Sequence, residues 1–322
     1  MSEKFTSFEH VIGKGLTPED KAKILKEKER MFKEQNFKNL ADVELKKTNE
    51  EIEIIDLINQ ETNKHLRNLG LKEFNIPAKN INILNKEGYE KIIGKKFTAI
   101  YSPAYQAISI NELDRNSRTV FASKVLHEMI HFKSYGSIQK QENEEPEVYR
   151  TGLSIISQSG KKQYFDNLNE GLTEELAKHI MLSFKNNPLF KDEIEKTRKH
   201  IKEFDMGSTK DEKGNPIFDI ENIYFIDVKE VKDKEVKWIT YSFAREKERE
   251  ILNSLIDKLF EKNKDKFQNR DEVFNVFIKA MLSGNIIPLG RLVDGTFGRK
   301  TFSKISELDA NIDKLEEFVG EL

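Results

Sequence analysis

Seven residues constrain this chain more than any other stretch: Val125-Leu126-His127-Glu128-Met129-Ile130-His131. Two histidines four apart, with a glutamate directly after the first, make an H-E-x-x-H pattern. On an α-helix, residues four apart are rotated by about 40° and rise by about 6 Å, so both imidazoles can reach one metal ion beside a single face. Glu128 lies about 100° round from His127, close enough to lean over that ion without being a ligand. Val125, Leu126, Met129 and Ile130 are apolar, so the helix must be buried in a core. Chance supplies such a pattern in about one chain in a hundred of this composition. The plain alternative is a pair of core histidines that only hydrogen-bond.

Composition narrows the chemistry further. The chain of 322 residues has no cysteine, which excludes a disulfide scaffold, a zinc ribbon, a thiol nucleophile and an iron–sulfur cluster. Any transition metal must therefore be held by histidine and carboxylate, and only six histidines are present. Lys and Arg number 54 against 56 Asp and Glu, a net charge of −2, which argues against a dedicated nucleic-acid binder. No stretch approaches the roughly 18–20 apolar residues of a membrane span. Met1-Ser2-Glu3-Lys4-Phe5 opens no apolar signal region. The expectation is a cytoplasmic protein with no membrane and no nucleic-acid partner.

Local signals outline the elements. Thr17-Pro18-Glu19-Asp20 opens a charged helix over 17–35, and a second helix over 49–69 carries Ile55, Ile58, Thr62, Leu66 and Leu69 on one face before Gly70. Residues 81–84 are β-compatible. Phe97–Tyr101 and Tyr105–Ile110 flank Ser102-Pro103-Ala104 as a hairpin, the second run alternating as if one face were buried. The helix bearing the histidines spans 118–134. A second hairpin, 148–157 with 161–165, turns at Ser159-Gly160, and a helix follows over 170–185. Residues 205–216 are turn-rich and read as a mobile loop, able to gate a site, or as a subdomain joint. Strand-like runs occupy 223–228 and 236–240. Helices are expected over 242–262, 272–283 and 303–319, the last with a stripe of Ile305, Leu308, Ile312, Leu315 and Val319.

A catalytic zinc site uses three protein ligands, so a third must join His127 and His131. No histidine follows at the short spacing that would supply it; His10, His65, His179 and His200 lie elsewhere. The better candidate is Glu170 in Asn169-Glu170-Gly171-Leu172-Thr173-Glu174-Glu175, at the start of the next strong helix. Glu174 is four residues on, on the same face, and suits the carboxylate that takes the other N–H of a ligating imidazole, most naturally that of His127. Asn169 adjoins the ligand in the same supporting role. The alternative for Glu170 is an acidic residue stabilising a helix N-terminus.

His127-Glu128-x-x-His131 followed by Asn169-Glu170-x-x-Thr173-Glu174 resembles the gluzincin metallopeptidases, the thermolysin-like group. The resemblance covers roughly residues 97–185 and leaves 1–75 and 190–322 unaccounted for. Residues 132–169 form a longer insert than the compact members have, and no G-[A/M]-M-E-N aminopeptidase signature stands upstream, so exo- and endopeptidase action both stay open. The resemblance implies an α+β fold with a zincin-like core at 76–190, a small mixed or antiparallel sheet plus two site helices. A helical region at 1–75 and a mainly helical subdomain at 191–322 would flank it.

It also implies one Zn2+ per chain and a peptide or protein substrate, with the strand Tyr105–Asn111 as the edge that pairs with substrate backbone; on its own terms that strand could equally be an interior one. Glu128 is then the general base that takes a proton from the attacking water and passes it to the leaving amine. A further donor should stabilise the oxyanion. Tyr149, Arg150, Tyr164 and Tyr241 are candidates, against the plainer readings of packed tyrosines and a salt-bridged arginine. Two rivals are a regulatory or toxin-like metalloprotease with few protein substrates, and a metal-stabilised binding module that cuts nothing.

Overall fold

The computed structural model describes residues 8–35, 40, 42–95, 97–140, 145–203, 226–229, 238–241 and 245–322. The expected gating loop at 205–216 lies outside these residues. Strand β1 (Phe8–Ile12) leads into helix α1 (Pro18–Glu34), where the Thr17 hydroxyl accepts the Asp20 N–H and the Asp20 carboxylate accepts the Thr17 N–H. The same reciprocal cap, from Thr48 and Glu51, follows β2 (Glu44–Leu45) and starts α2 (Asn49–Asn68). Gly70, with φ at 71°, turns the chain out of α2.

The next strands are β3 (Ile81–Leu84), β4 (Ala99–Ser102) and β5 (Ala107–Asn111), with α3 (Lys86–Ile92) after β3. They form a mixed sheet in the order β2-β3-β5-β4, with β3 parallel to β5. The expected hairpin is the antiparallel β4–β5 pair, Tyr101 opposite Ile108. Two expectations are corrected here. All five residues of β5 are buried, not one face of it, because α3 and α4 (Arg118–Lys133) both pack against it. And β5 is interior, as its own residues also allowed, and not the edge that the resemblance implies; the edges are β2 and β4, with β4 beside β5.

Helix α4 is buried along nearly its whole length, as its apolar neighbours required. Ser117 caps the Val120 N–H, and the Glu193 carboxylate accepts the Arg118 N–H at 3.0 Å, placing negative charge at the helix N-terminus. The second sheet runs β1-β6-β7-β8-β9, with β6 (Gly136–Gln139), β7 (Glu147–Thr151), β8 (Ser154–Ile156) and β9 (Gln163–Tyr164). The expected single strand over 148–157 is two strands. The chain reverses at Gly152, with φ at 60°, and the Asn169 side chain accepts the Leu153 N–H at 2.8 Å to hold that turn.

Helix α5 (Asp166–Ser183) begins four residues before its expected start and is followed by α6 (Pro188–Glu203). Strands β10 (Ile226–Lys229) and β11 (Trp238–Tyr241) pair antiparallel, so Tyr241 ends a strand and does not begin a helix. The C-terminal part is helical: α7 (Glu246–Lys262), α8 (Arg270–Ser283), α9 (Ile287–Phe297), α10 (Thr301–Leu308) and α11 (Ile312–Glu321). The expected continuous helix over 303–319 is broken between α10 and α11. Its stripe survives the break, with Ile305, Leu315 and Val319 buried and Leu308 and Ile312 packed against them.

The break has a use. Asp309 turns inward and its two carboxylate oxygens accept the Asn167 and Leu168 N–H groups, each at 2.9 Å. It thus caps α5 from 141 residues away, which explains why local sequence misplaced that helix start: the residue at the N-cap position, Phe165, has no side-chain cap. One buried apolar cluster runs from Phe32 through the α4 and α5 residues to Val319, and a small separate cluster of Phe8, Val11 and Ile138 lies under β1. The molecule is thus α+β, with mixed sheets and a helical C-terminal part. Among the described residues no helix is long and apolar enough to cross a membrane.

Candidate metal centre

Helices α4 and α5 pack against each other and bring the motif residues together. The His127 and His131 Nε2 atoms are 3.1 Å apart, with the rings in an edge-to-face arrangement. Glu170 reaches in from α5, its Oε2 at 3.6 Å from His127 Nε2 and its Oε1 at 3.2 Å from His131 Nε2. One donor atom from each of the three lies within 4.8 Å of the others, a group able to bind a metal ion. Glu174, one turn beyond Glu170, accepts the His127 Nδ1–H at 2.5 Å. That bond fixes the tautomer that leaves the Nε2 lone pair facing the cluster.

Electrostatics tests whether the donor set suits a cation. Burial would raise the Glu170 carboxyl, but the two facing imidazoles outweigh it and hold it well below its usual range. Burial would likewise lower the His127 imidazole, yet Glu170 and Glu174 hold it well above its usual value. The carboxylates of Glu170 and Glu174 beside the imidazoles thus attract positive charge to this point, from protons or from a metal that competes with them. The donor set, two imidazole nitrogens and a carboxylate oxygen with a supported histidine, fits zinc and related divalent ions.

Glu128 stands outside the donor group. Its carboxylate accepts the Tyr101 N–H of β4 at 2.6 Å, so the edge strand itself aims this side chain. The centre faces a cleft of about 730 Å³ walled by β4, by β7 and β8, and by α4 and α5.

A scan of protein-family models, a search of curated proteins and a search of solved structures return no match to this chain.

The remaining predicted site residues fall in different places. Tyr149 lines the cleft. The Arg150 guanidinium donates to the Gly152 and Gly284 carbonyls, both at 2.7 Å, and lies over the Tyr135 ring. Tyr164 packs against the main core and is not among the residues lining the cleft. Asn169 supports the β7–β8 turn and touches neither histidine through any bond found among the described residues. Sequence reasoning missed two residues. Asp166 lines the cleft, accepts from Ser154 Oγ and Gln163 Nε2, and has its carboxyl pushed up by burial and by Glu170. Arg245 places its Nη2 at 3.2 Å from Glu170 Oε2. Nothing in the sequence around Arg245 marks it; a lone arginine far along the chain carries no pattern.

Proposed function

We infer that this chain is a zinc-dependent peptidase of gluzincin type, built on a zincin-like core and using Glu128 as general base. The observation that carries the reading is the convergence of His127, His131 and Glu170 in an open cleft beside a carboxylate that does not join them. His127, His131 and Glu170 would hold the ion. When bound there, zinc supplies Lewis acidity that makes water a nucleophile near neutral pH.

The chain's own residues do the rest. Glu174 keeps His127 oriented through Nδ1. Glu128 accepts the proton of the attacking water on its carboxylate and delivers it to the leaving amine nitrogen, its aim set by the Tyr101 N–H. Among the described residues strand β4 has only β5 as a ladder partner, so the part of its other edge not taken by the Tyr101–Glu128 bond can take an extended peptide as an added strand. Apolar Phe97, Ile100, Val148 and Ile156 line the same cleft and offer contacts to substrate side chains. A chain without cysteine suits a reducing compartment such as the cytosol.

Mass spectrometry of the native protein should find about one zinc per chain. Glu170→Gln should lose it. Glu175→Gln should keep it, because Glu175 instead faces His179 and Arg249. Glu128→Gln should retain zinc and lose hydrolysis of a peptide library. A wild-type protein without zinc, or a Glu128→Gln variant that still cuts, overturns the reading. Zinc bound with no peptide cut by the wild type would leave the non-catalytic binding module standing in its place.

A further inference from the structure

The candidate third ligand is gripped by a helix outside the resemblance. Helix α7 lies along α5. The two approach so closely that a Cβ on Gly171 would sit 2.7 Å from the Glu248 backbone carbonyl. Glycine directly after Glu170 is what permits this approach. The contact sets the register of one helix on the other, with Arg245 beside Glu170 and Arg249 beside Glu175. The Arg245 Nη2 is 3.2 Å from Glu170 Oε2, and the Arg249 Nη1 is 3.4 Å from Glu175 Oε2. The Arg245 Nη1 is also 3.3 Å from Glu248 Oε1 on its own helix. Arg245 has φ at 58°, a left-handed conformation that a non-glycine residue keeps only where its surroundings hold it.

We propose that Arg245 is a positioning residue of the metal centre: braced by Glu248, it clamps the Glu170 carboxylate in the orientation that faces His127 and His131. The proposal rests on the metal-binding reading of those three residues. A free glutamate side chain samples many rotamers and loses them on binding an ion. A clamp already in place removes that loss. The carboxylate can serve both partners, since its two oxygens carry about four lone-pair sites between them. A guanidinium next to a cation site would ordinarily repel the cation. Here the Glu248 charge at 3.3 Å offsets it, so the orienting effect remains with little net repulsion. A planar fork reaching Glu170 with one nitrogen and Glu248 with the other also explains why the residue is arginine, which a lysine point charge cannot match.

The test is the zinc affinity of the full chain, measured by competition with a chelator in the absence of any substrate. Loss of a partner behind a ligand typically weakens binding about 10- to 100-fold, and losing the Arg245–Glu170 ion pair in Arg245→Gln should fall in that range. Arg245→Lys should recover only part of the loss. Glu248→Gln should also weaken binding, because it leaves the Arg245 charge uncompensated. Arg249→Gln, on the same helix but paired to Glu175, should stay within about twofold of wild type. Thermal unfolding of the metal-free proteins checks that Arg245→Gln and Arg249→Gln are equally folded. Wild-type or tighter zinc affinity in Arg245→Gln overturns the proposal. So does an equal loss in Arg249→Gln, which would assign the effect to helix packing. A wild-type chain that binds no zinc removes the metal reading itself and this inference with it, whereas tight wild-type binding with an unaffected Arg245→Gln removes this inference alone.

Discussion

Asp309→Asn probes how the helix carrying Glu170 is held, and its effect should change sign with pH. The Asp309 side chain is fully buried and accepts two backbone N–H groups at the start of α5, both at 2.9 Å. Burial pushes its carboxyl from 3.8 up to about 6; Asp166 adds to the rise, and the two N–H groups oppose it without cancelling it. Between those values the folded chain keeps a proton that the unfolded chain has released. The stability tied to this group is therefore full below the window and declines as pH rises through it. At about 1.4 kcal/mol per pKa unit, the decline amounts to roughly 3 kcal/mol once the pH has passed 7.

Asparagine carries no charge at any of these pH values, but its NH2 cannot accept. One of the two helix N–H groups is left without a partner, at about 1–3 kcal/mol. The variant should thus be the less stable protein near pH 4.5 and should match or exceed wild type near pH 7.5, as read by urea unfolding of the metal-free proteins. A stability difference that is the same at both pH values would refute the claim that a desolvated carboxylate caps this helix.

Two further outcomes follow from single contacts. Glu174→Gln should weaken zinc binding about 10- to 100-fold, because an amide does not hold the His127 Nδ1–H as a carboxylate does; chelator competition that finds no change would remove Glu174 from its supporting role. Gly171→Ala drives a methyl group to 2.7 Å from the Glu248 carbonyl and must push α7 off α5. A cost of about 1–3 kcal/mol is expected in denaturant unfolding, and an unperturbed midpoint would mean that the helices are not in the close contact described.

The grouping of the candidate site residues was legible because such a group restricts both residue type and spacing. Two imidazoles four apart among apolar neighbours predict a buried helix, and α4 is one. A glutamate pair four apart predicts one shared face, and Glu170 and Glu174 do reach the same histidine, at 3.6 and 2.5 Å. The cap written into adjacent residues, Thr17 with Asp20, was equally readable. The β5 strand was misread for a physical reason. Alternation reports one covered face, but Ser109 and Asn111 are buried as well under packing from α3 and α4, and polar residues hidden by a later element leave no periodic trace.

What sequence could not reveal is the support, and the reason is distance along the chain. The start of α5 is capped by Asp309 from the break between α10 and α11, and Glu170 is paired with Arg245, the residue just before α7. Neither partner is specified by its own neighbours. Any acceptor reaching those two N–H groups would cap α5, and any braced cation at that point would steer Glu170, so no local pattern needs to accompany either residue. Gly171 shows the same asymmetry from the other side. Beside Glu170 in sequence it looks like a helix-weakening residue, and only the carbonyl of Glu248 lying against it explains why a side chain there is not tolerated. The candidate histidine and glutamate positions show in residue type and spacing, whereas the residues that hold them in place are defined by where the fold happens to bring them.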